Sequence, residues 1–199
     1  VDVIRADAEH NLLSMAGVDE DEDLFAPVRL AARRRALWLG INLASAFLAA
    51  RVVGLFEATI EQVVALAVLM PIVASMGGIA ANQIVALMVR GLALGQVGAG
   101  NTAALLRMEL AVSLINGLLW GLVVAAVTSW WFESPMLGLV IGLALMLNLL
   151  FAATAGLLVP LLLRRMGLDP ALAGSVIVTT ITDVMGFFLF LGLGTLILL

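Results

Sequence analysis

Asp183 stands inside an apolar run from Ala171 to Leu199, with Thr179 and Thr180 four and three positions before it. Counting ~1.5 Å per helical residue, the carboxylate lies roughly 18 Å into that run, near the middle of a ~30 Å hydrocarbon layer. An ionised group at such depth costs at least a few kcal/mol, so it normally faces a bundle interior or a water path and marks a functional site. On a helix, the four- and three-residue spacing puts both hydroxyls on the carboxylate's face. The product is a short stripe of oxygens suited to a hard, oxygen-seeking cation.

The elements that must hold this stripe are membrane spans. The chain has 199 residues, of which 63% are hydrophobic and 12% charged, with mean hydropathy +1.18, far outside the range of soluble domains. The expected class is an all-α, polytopic membrane protein. It has no Cys and a single His, His10, which excludes a disulfide frame, a thiolate metal site and a zinc site built on histidines. Nucleic acid is not an expected partner; the lipid bilayer is. Val1 opens the chain without the basic and apolar segments of a signal peptide, so the sequence reads as part of a longer protein.

Residues 1–35 are polar and expected on the cytosolic side. Ile4, Ala8, Leu12 and Met15 recur at helical spacing between Val3 and Ala16, and Gly17 suits a C-cap. An acidic turn, Asp19 to Asp23, follows. Pro27 suits the first turn of a second helix that runs through Arg33, Arg34 and Arg35 into the membrane. Residues 36–199 then hold five spans, about 36–56, 62–89, 104–131, 136–163 and 171–199. Arg33 to Arg35, Arg90, Arg107, Arg164 and Arg165 all fall on one side, which the positive-inside rule makes the cytoplasm. The N-terminus is then cytoplasmic and the C-terminus outside.

In the second span, Pro71 removes a backbone donor and Gly77-Gly78 follow, so this segment is expected to kink or open locally beside a cavity. Asn82 and Gln83 add two amides near its inner end. Gly117 with Gly121, and Gly138 with Gly142, have the spacing of close helix contacts, and Asn116 and Asn148 are expected to be interhelical hydrogen-bond donors. Glu109 is expected to pair with Arg107 or to snorkel. The glycine-rich stretch 91–100 has no Gly-Lys-Ser/Thr ending and reads as a flexible connection rather than a phosphate cradle. Asp169 and Pro170 read as the N-cap and first residue of the last helix; Asp169 would also concentrate cations at an inner mouth.

Phe56-Glu57 and Glu61 ahead of Pro71, then Gly77-Gly78, Asn82-Gln83 and Arg90 to Ala93, together with 163–171 and 179–184, resemble the membrane domain of the MgtE family of bacterial magnesium channels. The resemblance covers essentially the whole chain. It implies a homodimer of five-span subunits in a prokaryotic plasma or inner membrane, with one ion path on the twofold axis lined by spans two and five. It implies Mg²⁺ as the bound and transported ion. By the same resemblance Asp183 meets a hydrated ion, the backbone carbonyl of Thr179 faces that ion, Ser175 falls at a narrow cytoplasmic neck and Asp169 at the inner mouth. Thr180, Pro71, Gly77, Gly78, Asn82 and Gln83 are expected to line the pore or gate. Residues 1–35 are similar to the end of a regulatory region and its connecting helix; the family's magnesium-binding cytosolic domains are not in these residues. Ile79, Ala81 and Val176 depart from the family's pattern on elements expected to line the pore.

The expected function is magnesium entry down its electrochemical gradient, through a channel that is not an enzyme. Transport of Co²⁺, Mn²⁺ or Ca²⁺ is an alternative, because a water-mediated carboxylate site is permissive. A non-conducting scaffold for cytosolic sensing domains is another. An intramembrane aspartyl protease would need two carboxylates with split pKa values, and the chain offers one mid-membrane acid.

Overall fold

The structure, a computed structural model, describes residues 27–98 and 100–199. The expected helix from Val3 to Ala16, its Gly17 cap and the acidic turn lie outside the described residues. Among the described residues six helices follow one another: α1 (Val28–Gly54), α2 (Glu57–Gln62), α3 (Ala65–Ala93), α4 (Thr102–Trp131), α5 (Pro135–Arg165) and α6 (Pro170–Leu198). All but α2 are long and apolar enough to cross a membrane.

Local chemistry sets the ends that matter for the site. Asp169 Oδ1 accepts from the Ala171 N–H at 2.8 Å, with Pro170 at the first helical position, so α6 begins where the sequence signals it. Before it, Gly167 adopts φ +73°, and the Gly167 and Leu168 N–H groups bond back to Arg164 and Leu163 carbonyls at 3.1 and 2.9 Å. This closing pair ends α5 and reverses the chain within a few residues. Ser134 caps α5 in the same manner, with Pro135 following.

α5 is the central post, its span 61% buried, and α3, α4 and α6 pack around it. One apolar cluster, containing Leu66, Val73, Ile141 and Phe190, fills one end of the bundle; another, containing Ala81, Val85, Ala152 and Val178, fills the other. Because lipid is as apolar as these side chains, close packing rather than water exclusion holds the helices together, and small residues mark the contacts. A Cβ on Gly121 would sit 2.9 Å from the Gly142 carbonyl oxygen, and one on Gly142 would sit 2.9 Å from that of Gly121. The two expected glycine pairs therefore do join α4 to α5.

Asn148, fully buried on α5, wedges between α3 and α6. Its Nδ2 donates to the Val73 carbonyl at 3.1 Å, the interhelical bond expected of it. Gly77 and Gly186 are the sites that admit it, since a Cβ on either would strike the amide. Gly77→Ala should therefore lower subunit stability by about 1–3 kcal/mol, read as a lower midpoint of thermal unfolding in detergent.

α1 runs unbroken from Val28 through residues 33–35 into the first span, as the sequence signals. Three expectations need correction. A separate short helix, α2, precedes the second span; its Thr59 hydroxyl bonds that of Thr195 at 2.8 Å, and Phe56 meets Phe188 edge-on at 5.9 Å. α3 is continuous through Pro71 and Gly77-Gly78 rather than opened. The proline removes a single backbone donor, and Gly77 is used for close approach to Asn148 and α6 rather than for flexibility. The glycine-rich connection is tied down: the Asn101 side chain donates to the Gln96 carbonyl at 2.7 Å and accepts from the Gly98 N–H at 3.0 Å.

Candidate ion-pathway site

α3 and α6 run antiparallel in direct contact, and their register decides which polar groups meet. A Cβ at Gly77 would lie 3.4 Å from Thr182 Cβ, and one at Gly78 would lie 3.9 Å from Thr179 Cγ2. Along α6, Ala171, Gly174, Val178, Thr182, Gly186 and Phe190 are buried at helical spacing and face the bundle. The neighbouring flank carries Val176, Thr179, Asp183 and Phe187, all partly buried. Along α3 the matching flank is Pro71, Ser75, Gly78 and Asn82, of which Pro71 and Ser75 are exposed.

These two flanks form a polar seam. Asn82 holds its inner part: Nδ2 donates to the Gly78 carbonyl at 3.0 Å and reaches Thr179 Oγ1 at 3.3 Å, while Oδ1 accepts from the Ser175 hydroxyl at 2.7 Å. Thr182, fully buried, donates to the Thr179 carbonyl at 3.0 Å and so occupies one lone pair of that oxygen. The Thr180 hydroxyl turns back on its own helix, to the Val176 carbonyl at 2.7 Å. The Asp183 side chain makes no hydrogen bond or ion pair among the described residues. It is thus a carboxylate in the middle of a membrane helix that the subunit itself does not satisfy.

The structure brings Asn82, Ser175, Thr179 and Gly78 together and leaves Asp183 on the same flank. Asp169 caps the helix start, ~21 Å from Asp183 along α6. Gly77 is buried against Asn148 rather than on the seam. Gln83 departs from expectation: one residue on from Asn82 it turns ~100° away and lines a groove against α4. Asn116 and Glu109 line that groove too, so the expected interhelical bond of Asn116 and the pairing of Glu109 with Arg107 are both absent. Of the departures from the family pattern, Ile79 faces the same groove and Ala81 is buried against α5 near Gly156; Val176 alone lies on the seam.

Ser75 is the residue that sequence reasoning missed. The Gly77–Thr182 and Gly78–Thr179 contacts set it level with Asp183. The available signal was its spacing, three before Gly78 and seven before Asn82, which puts it on their face.

Five long apolar helices with a polar seam at mid-depth define a multi-pass helical membrane protein. Residues 70–193, which include both flanks of the seam, match the MgtE family, described as divalent cation transporter, and the chain belongs to that family. It is 32% identical to the magnesium transporter MgtE of Thermus thermophilus over 202 residues, covering 100% of this chain and 44% of that protein. It is 30% identical to the magnesium transporter MgtE of Enterococcus faecalis (98% of this chain, 43% of that protein) and 28% identical to that of Bacillus subtilis (98% and 43%). The chain spans less than half the length of these relatives.

Proposed function

We propose that this chain is the channel domain of a magnesium transporter and that it works as a homodimer, with the ion path on the twofold axis between the α3 and α6 seams. The unsatisfied Asp183 carboxylate, level with the Ser75 hydroxyl on an open flank, is the observation that carries the reading. Lipid cannot hydrogen-bond such a flank, so a partner or water must cover it. A second copy does both. Closed twofold symmetry sets two carboxylates around one path, and Mg²⁺, which dehydrates reluctantly, is held through its water by few protein ligands. A site of that kind binds weakly enough to release the ion.

The arginine-bearing end is the cytoplasmic one, with Asp169 near the inner mouth. Toward that end, roughly 12 Å from Asp183, the Asn82–Ser175 bond forms the neck. Residues 1–35 connect the channel, 36–199, to cytosolic regulatory domains that account for the extra length of the relatives. The membrane potential drives the ion inward.

The test is divalent flux into proteoliposomes containing this chain, with Mg²⁺ compared against Ca²⁺ and Co²⁺. Magnesium-preferring uptake supports the channel; no uptake by a folded dimer would make the domain a scaffold. In the same assay Ser75→Ala should reduce magnesium flux roughly two- to fivefold, the loss of about one hydrogen bond to the ion's water shell.

A further inference from the structure

On the side of α3 away from the seam, α3 and α4 part around a groove of about 470 Å³. Glu109, Ser113, Asn116 and Trp120 of α4 line it at spacings of four, three and four residues, which makes them one helix face. Gln83 of α3 faces them among apolar neighbours. A second hollow of about 200 Å³, also bordered by Glu109, extends toward Gln96 at the arginine-bearing end.

Gln83, Glu109, Ser113 and Asn116 have no hydrogen-bond or ion-pair partner among the described residues. Ser113 is 6% exposed, and its unpartnered hydroxyl opens on the groove rather than being sealed in the core. Four polar side chains left unsatisfied within a membrane span would be costly, and a polar occupant removes that cost. Depth says which kind. Glu109 is ~10 Å from the start of α4 and Asn116 ~21 Å, so the polar face descends past headgroup level toward mid-membrane. A lipid headgroup would stop at the boundary; water and an ion would not. The described residues hold no group of three acidic or histidine side chains, so full chelation is unavailable. At ~30 Å³ per water the groove has room for an ion with its hydration shell.

We infer that this groove is a second divalent-cation site, which holds a largely hydrated ion through the Glu109 carboxylate and the side-chain oxygens of Gln83, Ser113 and Asn116. One carboxylate per site makes binding weak and exchangeable. Gln83 and Asn82 are consecutive on α3, so an ion in the groove ties α4 to the helix that grips Ser175 and Thr179 at the seam. The site is a sensor of divalent ions within the membrane domain, separate from the path at Asp183.

Trp120 lines the groove and serves as the probe. With Trp38, Trp130 and Trp131 changed to Phe, it is the remaining tryptophan. Titrating Mg²⁺ into the purified chain should change Trp120 emission saturably. The response should persist in Asp183→Asn, and Glu109→Gln should raise its midpoint roughly tenfold or more, the effect of about one lost ionic contact. No response, a response indifferent to Glu109→Gln, or one abolished by Asp183→Asn would each overturn the site. Should the tryptophan substitutions impair folding, equilibrium dialysis of Mg²⁺ against the chain with its natural tryptophans decides the matter. Glu109→Gln must then lose a binding component that Asp183→Asn retains. Because the Asp183→Asn arm reads the groove without the pore carboxylate, failure of the groove and failure of the channel give different results.

Discussion

Asp183→Asn should abolish magnesium-preferring flux, lowering uptake by about two orders of magnitude or more, while the purified protein keeps its oligomeric state and thermal midpoint. The second half of that expectation follows from the fold. Asp183 makes no contact of its own in the subunit that a neutral isostere would break, and removing a charge from mid-membrane relieves a desolvation cost. The first half follows from electrostatics. Across one water, ~5 Å, a carboxylate attracts a divalent ion by about 6–7 kcal/mol at an effective dielectric of ~20, before hydration offsets part of it. In a homodimer one substitution removes two such carboxylates. An amide still accepts hydrogen bonds from a hydrated ion but no longer compensates its charge, so residual flux should also lose its preference for divalent over monovalent cations. Uptake unchanged in Asp183→Asn would move the ion path off this seam.

How much of this was legible before the structure depends on what each residue's role draws on. Hydropathy alone located the five spans, because the lipid layer imposes their length. Asp183 stood out by depth, and Asp169 by the local grammar of helix starts. Asn148 was readable as glue between helices. What stayed hidden depends on helix rotation and tertiary register. Asn82 and Gln83 look like one amide pair in the sequence, yet consecutive helical residues diverge by ~100°, and the two side chains serve different faces of α3. Gly77 and Gly78 read as a weak point in a helix with Pro71, whereas Gly77 is small because the Asn148 amide lies against it, and Gly78 meets Thr179 only in ordinary contact. Ser75 was one small polar residue among many until the α3–α6 contacts set it level with Asp183. The family departures show the same limit: Ile79 and Ala81 sit in sequence near residues expected to line the pore, but one faces α4 and the other α5.

A cysteine at Val176 should cross-link most of the protein into covalent dimers, whereas one at Ile115 should cross-link little of it. The natural chain contains no cysteine, so each variant reports one position against a silent background. Val176 lies on the seam two helical turns from Asp183, toward the end where Asn82 bonds Ser175. Its side chain is partly open in the subunit. If the twofold axis runs along this seam, two copies of position 176 face each other across its narrowest part. A disulfide requires Cα atoms roughly 4.4–6.8 Å apart, so mild oxidation reads a tightly closed neck and a short bis-maleimide reads a wider one. Ile115 is 67% exposed and lies on α4, which carries no part of the seam. Its cross-linking measures random collision. On the proposed dimer, an ion held between two Asp183 carboxylates would draw the α6 helices together, so disulfide yield at Val176 should rise with Mg²⁺ and lose that dependence in the Asp183→Asn background. Equal yields at the two positions would place the subunit contact on another face and leave each Asp183 in need of a different partner.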